Sequence, residues 1–276
     1  MTVVIAVSNR KGGVAKTTLA RDLSHALVER GLRVLLVGLD PQSSLEVLAG
    51  LPVDTPPERT VCRLLLPDEF ADAGDLDEVV HGTPWRADLV PASTALAIAE
   101  RALAEPGRGG ANQRLRRGLD RLAAVERYEV VLIDCPPGMT ALTMNALVAA
   151  SHVLVPTPLD FLSVAGLAVL TRTIEEVREY EHPELRYLGI VGTMVVERTR
   201  HTREVRGQLE QLFGEHAGGT LCRTTIRHTT RVRDAHAARL AVGQYDPDHP
   251  VSQDYRRLAD ELITRTRLKV PLEAGR

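Results

Sequence analysis

The segment Ser8-Asn-Arg-Lys-Gly-Gly-Val-Ala-Lys-Thr-Thr18 decides the fold of this chain of 276 residues. An apolar run at residues 3–7 precedes the segment and predicts a buried strand, and leucines at helical spacing follow it. A glycine loop between a strand and a helix is typical of phosphate binding, because loop N–H groups and the helix N-terminus point at the phosphates. The segment therefore predicts a nucleotide-binding loop.

The polar side chains of this loop have separate predicted roles. Lys16 is expected to neutralise the β- and γ-phosphates, and the Thr17 hydroxyl is expected to ligate Mg²⁺. Lys11 adds a second positive charge at the mouth of the loop. We expect the nucleotide to contact the whole run, which consists of Lys11, Gly12, Gly13, Val14, Ala15, Lys16, Thr17 and Thr18.

The loop departs from the common motif G-x-x-x-x-G-K-[ST]. Arg10 replaces the first glycine and Ala15 replaces the second. Alanine tolerates fewer backbone conformations than glycine, so we expect Ala15 to affect the loop geometry and the nucleotide affinity. A glycine turn that binds no ligand is the alternative interpretation. The lysine and two threonines at the start of the helix favour phosphate binding over that alternative.

The composition limits the class of protein. An apolar fraction of 44% suits one α/β domain or two small ones, and a net charge of −2 means that DNA binding would need a local basic patch. Cys62, Cys135 and Cys222 are far apart, which argues against a disulfide framework or zinc site and fits a cytoplasmic protein. We find no signal-peptide pattern and no apolar run near the roughly 20 residues of a membrane span.

Strand and helix patterns alternate along the chain. After the first strand, apolar runs predict strands at residues 33–37, 87–91, 130–134, 152–156 and 188–196. Helical spacing predicts helices at residues 17–30, 61–66, 115–122, 163–181, 203–213 and 252–267. This alternation predicts an α/β fold in a single domain, with a doubly wound, mostly parallel sheet and helices on both faces.

Three oxygen-bearing side chains are predicted to meet at one edge of the sheet. Thr17 follows the loop, Asp40 lies two residues past the second strand, and Asp134 ends a later strand. Ligands bind at the carboxyl edge of such sheets. Thr17 and Asp134 could hold Mg²⁺ directly or through water, and Asp40 could orient or activate the attacking water of phosphoryl transfer. The alternative for Asp134 is a turn former before two prolines.

These motifs together resemble those of the ParA/Soj partition ATPases, members of the ParA–MinD group of P-loop proteins with a deviant Walker A motif, K-G-G-x-G-K-[ST]. The matching segments are residues 11–18, 34–42, 132–137, 142–150 and 255–261. The resemblance makes residues 1–276 one P-loop ATPase domain. Its core is residues 1–50 and 127–267, residues 51–126 are more variable, and residues 268–276 form a tail.

The resemblance implies an Mg²⁺-dependent ATPase that forms a sandwich homodimer with ATP. Lys11 and Asp40 are the implied catalytic residues: Lys11 would reach the partner's nucleotide and Asp40 would be the hydrolytic aspartate. Asp134 would be the metal residue of switch II. The dimer would bind double-stranded DNA without sequence preference, in a cytoplasmic, nucleoid-associated protein. A ParB-like centromere-binding protein would stimulate hydrolysis.

One position departs from the family pattern. The related proteins have Asp-x-Asp-Pro-Gln after the second strand, whereas this chain has Gly38-Leu-Asp-Pro-Gln42. The glycine removes a carboxylate near Lys16 and the metal. We therefore expect slower hydrolysis or an altered metal geometry.

The candidate DNA contacts lie in two basic clusters. The first cluster, residues 223–239, contains Arg227, Arg231 and Arg233, and the resemblance aligns Arg231 with an arginine of the family's DNA-binding stretch. The second cluster contains Arg203. A dimer would double each cluster on one face, which would strengthen its attraction for phosphates. A solvated, salt-bridged surface is the alternative for both clusters.

Other functions stay open at this point. A membrane-cycling relative like MinD would end in an amphipathic helix, but the C-terminal segment has no aromatic residue and contains Pro271, so we expect no membrane partner. A positioning ATPase with a protein cargo and a metabolic enzyme of the same fold are further alternatives. An iron–sulfur ATPase is disfavoured, because no second cysteine is suitably placed beside Cys135.

Overall fold

One eight-stranded sheet organises the computed structural model, which describes residues 2–52, 54–70, 75–105, 110–122, 127–196, 200–214 and 220–270. The strands are β1 (Val3–Val7), β2 (Val34–Gly38), β3 (His81–Gly82), β4 (Asp88–Val90), β5 (Val130–Asp134), β6 (His152–Pro158), β7 (Arg186–Val195) and β8 (Leu221–Arg227). Their order is β3-β4-β2-β5-β1-β6-β7-β8, and the pairs are parallel except that β3 runs antiparallel to β4. The predicted, mostly parallel α/β fold is confirmed.

Helices follow the strands through most of the described chain. They are α1 (Lys16–Val28), α2 (Ser44–Ala49), α3 (Cys62–Leu65), α4 (Leu96–Ala104), α5 (Arg114–Arg121), α6 (Ala141–Ala149), α7 (Phe161–Tyr180), α8 (Arg200–Phe213), α9 (Arg231–Ala237), α10 (Val242–Tyr245) and α11 (Pro250–Thr266). Short 3-10 helices occupy Pro57–Arg59, Pro67–Phe70, Leu76–Val79 and Ala111–Gln113. In the described segments, no helix combines the length and apolar character needed to cross a bilayer.

Helices cover both faces of the sheet. Ile5 and Val7 of β1 pack with α1, α10 and α11, whereas Ala6 between them packs with α5, α6 and α7 on the opposite face. Both sets of strand side chains are thus buried, which explains why the central strands are almost continuously apolar. Each fully buried aliphatic side chain contributes about 1.5–3 kcal/mol to folding. The doubly wound architecture is therefore confirmed.

The edge strand β8 was not among the strands predicted from apolar runs. Only Cys222 and Ile226 of this strand are buried, and its sequence, LCRTTIR, contains no continuous apolar run that would predict a strand. Carboxylates of α11 accept several of its backbone N–H groups: Glu261 accepts from residues 223 and 224, and Asp254 accepts from residue 227. These bonds satisfy donors that a bare sheet edge would leave available for pairing with another chain.

The strand register positions the candidate site. Val7 at the end of β1 lies beside Asp134 at the end of β5, and Asp134 lies beside Gly38 at the end of β2. Because these strands are parallel, their carboxyl ends meet at one edge, as such folds require for ligand binding. The loops that follow β1, β2 and β5 therefore converge there.

Candidate nucleotide-binding site

The loop between β1 and α1 contains two residues in the left-handed backbone conformation. Gly13 has a φ of 71°, and Ala15 has a φ of 67° and a ψ of 32° directly before α1. Both conformations are left-handed, which glycine adopts freely and alanine adopts at a cost. Gly12 and Gly13 are exposed, whereas Val14 is buried. The two glycines thus lie at the exposed side of the loop and Val14 lies at its buried side. Ala15 adopts the left-handed conformation that glycine, the residue of the family motif, would adopt freely.

Side chains from outside the loop hold this geometry. The Asn9 amide donates to the carbonyl of Pro156 in β6 at 2.8 Å and accepts the N–H of Lys11 at 3.0 Å. The Thr193 hydroxyl of β7 donates to the carbonyl of Val14 at 3.1 Å. The sequence analysis missed Asn9 and Thr193 as positioning residues, because no local pattern connects the loop to strands that follow more than 140 residues later.

The Lys16 side chain is hydrogen-bonded to backbone carbonyls of its own loop. Its ammonium donates to the carbonyls of Asn9 and Lys11, each at 3.1 Å. Burial lowers the pKa of Lys16, and the negative charges of Asp134 and Asp40 oppose that shift. The ammonium is therefore held inside the loop and close to both aspartates, as the predicted phosphate contact requires.

Asp134 is a deeply buried acid of the site. The residue is 2% exposed, and the Oδ1 atom of its carboxylate has no hydrogen-bond partner among the described residues. Burial raises the pKa of Asp134 to about 7, whereas the adjacent Thr17 hydroxyl lowers it. The structure thus places Thr17 beside Asp134, and their shared metal role stays a prediction.

The oxygen donors of the site fit Mg²⁺. A buried carboxylate oxygen without a donor is suited to a hard cation or to its bound water, and the Thr17 hydroxyl supplies a second oxygen. Among the described residues, no group of three or more His, Cys, Asp or Glu side chains could hold a metal ion directly. Mg²⁺ commonly takes one or two protein ligands and completes its shell with phosphate and water.

Asp40 lies in the loop after β2 and faces the same site. Its Oδ1 atom accepts the N–H of Gln42 at 3.0 Å, which orients the carboxylate. Its charge raises the pKa of Asp134 and opposes the lowering of the pKa of Lys16. The structure therefore brings Asp40 together with Thr17, Lys16 and Asp134, as the strand ends predicted.

Lys11 lies at the solvent side of the loop. Its side chain is 47% exposed, and its ammonium lies 3.3 Å from Asp160, which follows β6. The side chain thus lies at the surface, where it is paired with Asp160. Asp160 is a further partner that the sequence analysis did not identify.

Gly38 has a neighbour that the sequence analysis missed. A Cβ atom at this position would lie 2.5 Å from Oε1 of Glu46 and 3.0 Å from the N atom of Ala92. Space for the family's aspartate is therefore occupied by the carboxylate of Glu46. Gly38 removes the family's aspartate as expected, but α2 supplies another carboxylate to the same space, and the expected effect on hydrolysis or metal geometry stays a prediction.

The candidate DNA contacts differ in their surroundings. Arg227 makes two side-chain hydrogen bonds to Asp254, at 2.6 and 2.9 Å, and Asp254 is 2% exposed. Arg231 is 47% exposed and lies 3.4 Å from Asp246 and 3.6 Å from Asp234. Arg227 thus neutralises a buried carboxylate and joins β8 to α11, whereas Arg231 is displayed at the start of α9.

The two basic clusters pack on opposite faces of the sheet. Arg233 is exposed on α9, whose buried Ala235 packs with α1 and α11. Arg203 is exposed on α8, whose buried Val205 and Leu209 pack on the other face. Arg203 and Arg233 therefore do not form one patch on a single helical layer.

Replacing Ala15 with glycine is expected to stabilise the protein by about 1 kcal/mol, because glycine removes the steric cost of the left-handed conformation. Urea unfolding of the nucleotide-free protein measures this change. Ala20→Gly in α1, the helix that follows Ala15, is the matched control and is expected to destabilise by about 1 kcal/mol or more, since Ala20 is buried inside the helix. Destabilisation by both substitutions would contradict the strain at Ala15.

Comparisons with known proteins agree with this geometry. Residues 2–187 match the family described as an AAA domain. The chain is 38% identical over 261 residues to the chromosome-partitioning ATPase Soj of Thermus thermophilus, covering 95% of each protein. It is 36% identical over 264 residues to the chromosome partitioning protein ParA of Caulobacter vibrioides, covering 96% of this chain and 95% of that protein.

A solved structure extends the comparison to ligands. Cobyrinic acid a,c-diamide synthase from Mycobacterium smegmatis, with bound ADP and magnesium, superposes with a TM-score of 0.80 at 33% identity, covering 97% of this chain and 96% of that one. A second structure of that protein holds an ATP analog and magnesium. The prediction of ATP and Mg²⁺ as the cofactors of this fold is thereby confirmed. By sequence, loop geometry and fold, the chain belongs to the ParA/Soj family of P-loop ATPases.

Proposed function

We propose that this protein is a DNA partition ATPase that binds ATP with Mg²⁺, dimerises and hydrolyses the nucleotide. The observation that carries the proposal is the convergence of Lys16, Thr17, Asp40 and Asp134 at one edge of the sheet, with Lys11 exposed beside them. Phosphoryl transfer requires positioning and charge neutralisation more than covalent chemistry, and these groups supply both.

Each residue then has one task in the reaction. Lys16 neutralises charge on the β- and γ-phosphates, and backbone N–H groups between Gly12 and Thr18 bind the phosphate oxygens. Thr17 and Asp134 hold Mg²⁺, which lowers the charge on the phosphates when bound. Asp40 orients the attacking water and accepts its proton. Lys11 leaves Asp160 and contacts the nucleotide of the partner subunit in the ATP dimer.

The DNA contact is assigned to the exposed part of the first cluster. Arg231 and Arg233 begin α9 and lie at the surface, whereas the guanidinium of Arg227 is tied to Asp254. The dimer would present two copies of each arginine to phosphates, which carry no base information, so binding would be independent of sequence. A ParB-like protein would stimulate hydrolysis and release the dimer from the nucleoid. Arg203 is a second, separate candidate contact.

Two other functions make different predictions. A positioning ATPase for a protein cargo would share ATP-dependent DNA binding and differ in its partner. An ATP-dependent amide-forming enzyme is suggested by the name of the Mycobacterium smegmatis relative, which is 33% identical. That enzyme would need no DNA, so DNA binding that depends on ATP separates it from the proposal.

Arg231→Glu is expected to remove most DNA binding while ATP-dependent dimerisation persists. With on the order of four to eight phosphate contacts per dimer, wild-type affinity is expected to fall roughly a hundredfold or more between 50 and 200 mM salt. Losing one contact per subunit is expected to lower the magnitude of the salt slope by about 2. Fluorescence anisotropy of a labelled duplex of random sequence measures both effects.

Two further variants control for secondary effects. Arg233→Glu tests the same surface without disturbing the ion pairs of Arg231 with Asp234 and Asp246. Arg172→Glu on α7 makes the same charge change at a side chain that is 82% exposed and outside both clusters. Size exclusion with ATP reports dimerisation of every variant. Equal DNA affinity and salt slope in the wild type and both cluster variants would place the DNA site elsewhere.

A further inference from the structure

The carboxylate of Glu46 lies where no sequence motif predicts an acid. Glu46 is the third residue of α2 and is 2% exposed, and its Oε1 atom accepts the N–H of Ala92. Within the described residues, no lysine or arginine forms a salt bridge with it. A buried carboxylate without a cationic partner is costly, and an amide acceptor would serve Ala92 equally well.

The sheet register places this carboxylate beside the metal residue. Gly38 and Asp134 are register partners in parallel strands, so the Cβ directions at both positions point to the same face of the sheet. Glu46 Oε1 lies 2.5 Å from the position that a Cβ of Gly38 would occupy. The carboxylate therefore lies above Gly38 on the face where the Asp134 side chain also lies.

Helix α1, which follows the phosphate-binding loop, covers the same face of the sheet. Val34 and Leu36 of β2, whose side chains alternate with that of Leu35, pack with α1, and so does Leu45 of α2. Three acids, Asp40 in the loop after β2, Glu46 above Gly38 and Asp134 at the end of β5, thus lie around the carboxyl ends of these two strands, where α1 begins with Lys16.

The Asp134 oxygen without a hydrogen-bond partner among the described residues indicates that this group of acids would bind a cation. Asp134 Oδ1 is buried and lacks a hydrogen-bond partner among the described residues, which is the environment of a ligand for a cation or for its bound water. Mg²⁺ retains several waters, and carboxylates outside its direct ligands commonly accept hydrogen bonds from them. A divalent cation would also relieve the repulsion between the three acids.

We infer that Glu46 is a positioning residue of the metal site, in which its carboxylate replaces the side chain absent at Gly38 and acts on Mg²⁺ through metal-bound water. The inference rests on the proposed binding of nucleotide with Mg²⁺ and adds a residue that the family's sequence pattern does not contain. It also explains why this chain has glycine at position 38: a larger residue would collide with the acid that takes over its role.

Glu46→Gln separates this role from a purely structural one. Glutamine preserves the size of the side chain and an acceptor for Ala92, but it removes the charge. The ADP complex is titrated with Mn²⁺, and free Mn²⁺ is measured by electron paramagnetic resonance. The variant is expected to bind Mn²⁺ about 10- to 100-fold more weakly, as is typical for groups that act on a metal through its ligands. Its ADP affinity in EDTA is expected to equal that of the wild type.

A carboxylate swap provides a second, independent test. The double variant Gly38→Asp with Glu46→Ala moves the acid from α2 to β2, and Gly38→Ala with Glu46→Ala is its matched control without an acid. The swap is expected to recover Mn²⁺ affinity relative to that control by about tenfold or more, and circular dichroism verifies that all variants fold.

The outcomes distinguish the inference from the function on which it rests. Wild-type Mn²⁺ affinity in Glu46→Gln, or equal affinities in the two double variants, would overturn the role of Glu46 alone. Failure of the wild-type ADP complex to bind Mn²⁺ would overturn both this role and the proposed Mg²⁺-dependent function. No DNA or partner protein is present in the assay, so the DNA proposal does not affect its result.

Discussion

Replacing Lys16 with alanine is expected to abolish measurable nucleotide binding, with a dissociation constant for ADP or ATP raised at least about 100-fold. The Lys16 ammonium is held inside the loop by the carbonyls of Asn9 and Lys11, where phosphate oxygens would receive its charge. Charge-assisted hydrogen bonds contribute about 1.5–3 kcal/mol each, and about 2.8 kcal/mol corresponds to a hundredfold change. Titration with a fluorescent nucleotide measures the loss.

Lys11→Ala is the matched control for this substitution. Lys11 is exposed and pairs with Asp160, so its removal is expected to leave nucleotide binding by the monomer nearly unchanged while ATP-dependent dimerisation and hydrolysis are lost. Circular dichroism establishes that both variants fold, because Lys16→Ala also removes two hydrogen bonds within the loop. A folded Lys16→Ala protein with wild-type nucleotide affinity would refute the phosphate role, and normal dimerisation of Lys11→Ala would refute its contact across the interface.

Asp40→Asn is expected to lower kcat by roughly 100- to 10,000-fold with little change in nucleotide affinity. The carboxylate acts on the attacking water, and removal of a general base typically costs that factor. An interaction made chiefly in the transition state lowers kcat without weakening ground-state binding. Phosphate release under saturating ATP, with the ParB-like partner where it is identified, measures kcat, and size exclusion measures the ATP dimer.

The choice of asparagine controls for the structural role of Asp40. Its Oδ1 atom accepts the N–H of Gln42, and an asparagine oxygen can accept the same hydrogen bond. Asp40→Ala removes this bond as well, so a difference between the two variants measures the contribution of the loop conformation. Turnover at the wild-type rate in Asp40→Asn would mean that another group orients the water.

Much of the candidate site could be predicted because its signals are local in sequence. The phosphate-binding loop, Lys16 and Thr17 lie within one strand–loop–helix unit, and the apolar run at residues 130–134 ends in Asp134 as predicted. Parallel strands place their carboxyl ends at one edge, so Asp40 also followed from its position two residues past β2. Ala15 has a left-handed φ, which is the conformation expected at a position where the family motif has glycine.

The roles of the surface arginines could not be predicted from the sequence, because they depend on which acidic side chains lie next to each arginine in the folded protein. Arg227 and Arg231 belong to one basic run in the sequence, yet Arg227 is bound to the buried Asp254 and Arg231 is exposed. Arg203 appeared comparable, but α8 packs on the opposite face of the sheet from α9. Composition counts charges without their partners, and two of these partners are distant in sequence: Asp246 lies 15 residues after Arg231, and Asp254 lies 27 residues after Arg227.

The sequence by itself determined the family, the α/β class and the candidate phosphate-binding residues, because hydrophobic periodicity and the loop motif act over a few residues at a time. Only the tertiary structure decided which acid occupies the space above Gly38. That answer depended on the register of β2 with β5 and on the placement of α2, which together bring Glu46 beside Asp134. Contacts between residues far apart in the chain are set by register and packing, which no local pattern encodes.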